Sequence, residues 1–120
     1  MTDAMLTPND VVRTLVKLSK ELDQTVKALK DADYDAAVKR HEADVGESRL
    51  YLAADGAVEK RKHEARVANA HREEAAIIAE AVVRHLRREI DSIKTRIDVG
   101  RSYGAAVRAE LSTLGYEGTP

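Results

Sequence analysis

The stretch AADGAV, residues 53–58, decides the fold. Between Pro8 and Pro120 the chain contains no proline, and Asp55-Gly56 is the one strong breaker near its middle. Glycine takes the left-handed conformation that closes a helix C-terminus without steric penalty. An Asp-Gly pair also suits a β-hairpin, but nothing on either side alternates with period two. The reading is therefore helix, tight turn, helix.

Working outward toward the N-terminus, Thr7 is placed to cap a helix. Pro8 suits the first turn, and Asp10 answers both cap and dipole. From Val11 through Leu15, Leu18, Leu22, Thr25 and Leu29, apolar residues recur at alternating steps of four and three. Small residues (Ala32, Ala36, Ala43, Gly46) continue the pattern more weakly. This predicts a tail over 1–7, a helix over 8–53 and a turn over 54–57. A second helix follows over 58–99, folded back as an antiparallel hairpin because the two segments are nearly equal in length. Partners then sum to about 111 if the turn centres on Asp55-Gly56. That places Leu18 opposite Ile93, Leu22 opposite Glu89 or Ile90, and Leu29 opposite Val82. Ala36, Ala43 and Gly46 fall opposite Ala75, Ala68 and Ala65. Consecutive steps of four across Val82, Leu86 and Ile90 resemble a stutter.

The stretch GRSYG, residues 100–104, admits two readings. Gly100 ends the second helix and Ser102 caps a C-terminal helix over 102–114 that folds back, with 115–120 a tail. Alternatively one helix runs on and the glycines let another backbone press close. Two glycines cost about 2 kcal/mol in a helix interior, which favours the fold-back. A phosphate loop is not indicated: no strand precedes the stretch, and neither a Lys-Ser/Thr pair nor a third glycine follows at the required offset.

Composition agrees with an all-α chain. There are no Cys, Trp or Phe residues and four tyrosines, while 34% of residues are charged. The balance of 20 basic against 21 acidic residues argues against a broad basic field for nucleic acid. An Ala-rich seam buries little area, so the hairpin is marginal alone. The surplus residues Val12, Val16, Val26, Ile77, Ile78, Val83 and Val99 call for a further partner. The expected fold class is all-α, a long coiled-coil-like antiparallel hairpin with a short C-terminal helix, self-associating into a bundle. The expected oligomer interface comprises Leu15, Leu18, Leu22, Ile77, Ile78, Val83, Leu86, Ile90 and Gly104, with a dimer the simplest assembly. A monomeric three-helix bundle is the alternative.

Candidates for chemistry are few. His41, His63, His71 and His85 lie on predicted helices without the local spacing a zinc site needs. Asp31 and Asp35 stand one turn apart, yet a carboxylate pair serves acid–base chemistry only in a pocket, which such an arm does not offer. No catalytic residue, metal or cofactor is expected. The densest basic cluster, EKRKHEAR at 59–66, makes Lys60, Arg61, Lys62 and Arg66 candidates for nucleic-acid contact. The alternative is a solvated helix face neutralised by Glu47, Glu59 and Glu64. Arg84, Arg87 and Arg88 form a second such patch.

From Tyr34 to Leu111 the chain resembles small helical proteins encoded by phages and prophages of actinobacteria. SRLYLAADGAVEKRKHEA and LRREIDSIKTRIDVGRSYGAAVRAEL carry the likeness. The resemblance implies a cytoplasmic, non-enzymatic accessory factor of phage DNA metabolism or host takeover, and supplies no catalytic residues. The expected function is a helical interaction protein that binds itself and a protein of the replication or recombination machinery. Alternatives are direct DNA binding through the basic cluster and a chaperone-like virion assembly factor. No membrane contact is expected.

Overall fold

A computed structural model of the chain describes residues 7–117, with side chains as far as Leu114. The expected N-terminal tail, apart from Thr7, lies outside the described residues. The fold is all-α: α1 (Pro8–Ala53), α2 (Val58–Ala68) and α3 (Ala70–Glu117).

Local chemistry sets the ends of α1. The Thr7 hydroxyl accepts the Asp10 backbone N–H at 3.2 Å, and the Thr7 backbone N–H donates to Asp10 Oδ2 at 3.0 Å. This reciprocal capping box satisfies donors that the first turn would otherwise leave unpaired. Those bonds hold the Asp10 carboxyl below its ordinary 3.8, the backbone N–H of Thr7 contributing most. At the other end Gly56 adopts φ 107°, a left-handed conformation that a side chain would strain. Ala57 then turns extended to start α2 without a side-chain cap.

The chain divides into two compact units, Met1–Val26 with Arg88–Pro120, and Lys27–Arg87. In the first, the start of α1 runs antiparallel to the end of α3. Leu18, Ile93 and Ile97 form its core, with Leu15 and Leu22 packed against them, and Ile93 is 1% exposed. The pairing of Leu18 with Ile93 is the expected one. The fold-back is not observed: α3 continues through Gly100 and Gly104, so residues 102–114 are not a separate helix and Ser102 caps nothing. Packing accounts for the outcome. A Cβ on Gly100 would stand 2.9 Å from Leu15 Cδ2, and one on Gly104 would stand 2.9 Å from Val11 Cγ1. The missing side chains leave room for Leu15 and Val11. Burying such a residue contributes roughly 1.5–3 kcal/mol, enough to offset the glycine cost.

In the second unit α1 runs antiparallel to α2 and the start of α3. The core is Ala36, Ala79 and Val83 with Leu29 and Ala32, and Ala43, Ala65 and Ala76 are also buried. Small residues line this seam, as the sequence suggests, with Ala65 and Ala79 buried, but three other positions fall one residue later than expected. Ala76, Val83 and Asn69 occupy the places expected for Ala75, Val82 and Ala68, and Val58 is exposed. From Asn69 onward the buried residues recur every seven, at Ala76, Val83, Ile90 and Ile97. Inward positions step by four from Arg61 to Ala65 to Asn69, where the helix is interrupted for one residue. The consecutive fours thus fall earlier than Val82–Ile90. Asn69 tolerates burial at 4% exposure because its Nδ2 donates to the Ala43 carbonyl at 2.7 Å.

Candidate interaction surfaces

Most of the apolar residues expected to join copies of the chain are instead used within it. Leu18, Val83 and Ile90 are buried in their own unit, Gly104 is buried beneath Val11, and Leu15, Leu22 and Leu86 are half-buried. The reason is the phase of the helix: bulky residues at heptad positions meet the other arm of the same hairpin first. Of the expected set, only Ile77 and Ile78 are free for a partner, at 51% and 57% exposed. Val82, one turn beyond Ile78, joins them at 45% because the seam takes Val83 in its place. In the other unit Val12, Val16, Val99 and Tyr103 are exposed.

The basic cluster near the turn is internally neutralised. Lys60 lies 3.7 Å from Glu64, Lys62 lies 3.7 Å from Glu59, and Arg66 lies 4.0 Å from Glu47. Arg61 is drawn inward: its guanidinium sits 4.4 Å from the Tyr51 ring centroid, and Nη2 donates to the Tyr51 carbonyl at 3.1 Å. That contact is a cation–π clamp joining α2 to α1 beside the turn. These four residues therefore do not present a set of unpaired cations. Arg87 in the second patch faces Asp33 at 3.5 Å.

Two polar features escape a reading by hydrophobic periodicity. Arg40 on α1 forks between two acids of α3. Its Nε and Nη2 donate to Glu80 at 3.1 and 2.7 Å, and its Nη1 donates to Glu73. Glu73 and Glu80 are seven residues apart, two turns on one flank, so one planar guanidinium reaches both. The bonds hold the arginine further above its usual range, Glu80 contributing most, and hold Glu80 below the usual carboxylate range. The spacing of the two glutamates was the available signal. The second feature is Asn69, whose place at a seam position becomes visible only once the phase of α2 is known.

Among the described residues no group of three His, Cys, Asp or Glu side chains is arranged to hold a metal ion. No described helix is long and apolar enough to cross a membrane. Asp35 of the Asp31/Asp35 pair is engaged with Lys39 at 3.0 Å and more than half exposed, an ordinary surface ion pair. Compared with known proteins, the chain matches no family model, no curated protein and no solved structure.

Proposed function

We propose that this chain is a non-enzymatic helical interaction protein that associates with itself as a dimer and docks a protein partner through apolar faces outside its intramolecular seam. One observation supports the reading most. Among the described residues fifteen large apolar side chains are exposed, whereas six (Val11, Leu18, Val83, Ile90, Ile93 and Ile97) are buried. Scattered exposed apolar residues need no partner, but Ile78 and Val82 lie one turn apart on one helix flank, with Ile77 adjoining. The cell setting follows from the resemblance alone: an accessory factor of a phage, acting in the host cytoplasm on DNA replication, recombination or host takeover.

Sedimentation equilibrium of the full chain at tens of micromolar tests self-association. A dimer is expected, weakened at least tenfold in Ile78→Asp because a charge would be desolvated at the contact. A monomer at that concentration, or a dimer indifferent to Ile78→Asp and Ile77→Asp, refutes this surface as the contact.

A further inference from the structure

The interruption between α2 and α3 costs the chain a buried polar residue and a seam position, and a coiled-coil arm needs neither. Asn69, the residue at the break, also holds the side chain of Arg72. Asn69 Oδ1 accepts from Arg72 Nη1 at 3.1 Å, while the Asn69 amide is itself anchored to the Ala43 carbonyl. Directly across lies Gly46. A Cβ there would stand 2.6 Å from Asn69 Oδ1, 3.0 Å from Arg72 Cδ and 3.3 Å from Arg72 Nη1. Only a glycine leaves α1 low enough for the guanidinium to lie over it. Asn69, Gly46 and Arg72 thus form one arrangement whose product is an oriented guanidinium.

Arg72 lines a groove of about 530 Å³ together with Arg49, His41 and Glu42 and the apolar Val45, Leu50 and Ala53. Neither Arg49 nor Arg72 has a carboxylate within ion-pair distance among the described residues, whereas Arg40, Arg66 and Arg87 each do. Glu42 borders the groove and pairs with neither. A guanidinium carries five N–H donors, and the Asn69 bond uses one of Arg72's. With its remaining donors, Arg72 shares one groove with a second, likewise exposed arginine, Arg49. This is the donor set that binds phosphate oxygens, and prior orientation removes part of the entropic cost of binding.

We infer that the groove formed by Arg72, Arg49 and His41 over Gly46 is a binding site for a phosphate group. The phosphate comes either from a small phosphorylated molecule or from the backbone of a single-stranded nucleic acid. The inference does not depend on the oligomeric state proposed above.

Backbone amide NMR titrations of the full chain with inorganic phosphate, at constant ionic strength set with chloride, test it. A single-stranded oligonucleotide forms the second arm. Saturable shifts of the Gly46, Arg49 and Arg72 amides are expected, with affinity reduced about tenfold in Arg72→Gln and in Arg49→Gln, the loss expected for one charge-assisted contact. Saturation by phosphate itself assigns a small ligand. Saturation by the oligonucleotide alone, lost in Arg72→Gln, assigns the nucleic-acid backbone. Arg49→Gln leaves the Asn69 contact intact and so reports on binding even where Arg72→Gln loses helicity. No saturable shift in either arm, or binding unchanged in both variants, overturns the site.

Discussion

Gly100 and Gly104 sit four residues apart on one helix, face the same arm and would each clash at the same distance, yet their replacement by alanine should have opposite consequences. In a helix interior Gly→Ala contributes roughly 0.8–1.0 kcal/mol of propensity. Against this stands the new methyl group, 2.9 Å from its nearest neighbour in both cases. At Gly100 that neighbour is Cδ2 of Leu15, the far end of a flexible and half-buried side chain. A rotation about χ2 relieves the contact at about 0.5–1 kcal/mol, so Gly100→Ala should be neutral to about 0.5 kcal/mol stabilising. At Gly104 the neighbour is Cγ1 of Val11, a buried β-branched side chain with a single preferred χ1 rotamer in a helix. Relief requires the arms to separate, an overpacking cost of roughly 1–3 kcal/mol, so Gly104→Ala should be destabilising by about 1 kcal/mol. Gly104→Leu should lose about 2–3 kcal/mol. Urea and thermal unfolding followed by circular dichroism measure these differences, at about 4 °C per kcal/mol. Val11→Ala should rescue Gly104→Ala in a double-mutant cycle but leave Gly100→Ala unchanged. Equal stabilisation at both positions would show that propensity alone decides and that the close approach is unimportant. A loss of more than 1 kcal/mol in Gly100→Ala would instead favour a helix end at Gly100, where a left-handed glycine is needed.

Two other groups give equally direct tests. In a double-mutant cycle, Arg40→Met and Glu80→Gln should each destabilise and should couple more strongly than Lys39 and Asp35, because the fork bridges two helices while the latter pair lies within one turn. Equal coupling of the two pairs would place the Arg40 network among ordinary surface contacts. Asp10 gives a pH dependence of defined sign. Its carboxyl is lowered from 3.8 by the Thr7 cap, so its stabilisation is fully present above 3.8 and disappears as pH falls through the folded value. Asp10→Asn should therefore be less stable than the parent at pH 7, with the difference vanishing in strongly acidic urea titrations. A difference that persists there would exclude the carboxylate as its source.

The sequence by itself determined what short-range chemistry controls. Thr7, Pro8 and Asp10 start α1 because a cap is made by residues three apart, whatever the rest of the chain does. Asp55-Gly56 ends the arm because a positive φ is a property of one residue. Leu18 opposite Ile93 was legible because bulky heptad positions on two segments of matched length have few ways to meet. Only tertiary structure decided the remainder. Propensity argues for a break at Gly100, but Leu15 against Gly100 and Val11 against Gly104, each more than eighty residues away in sequence, fill the space and keep α3 continuous. Periodicity argues for Ala68 and Val82 in the seam, but the buried residues Asn69, Ala76, Val83, Ile90 and Ile97 recur every seven, so the seam is shifted by one residue at those two places and Val82 is left outside. The candidate phosphate groove follows from that shift, since Arg72, Asn69 and Gly46 are unremarkable until the two arms are laid together. A helix is specified by neighbours along the chain, whereas its phase against another helix is settled by contacts whose energies exceed local preferences by only a kilocalorie or two.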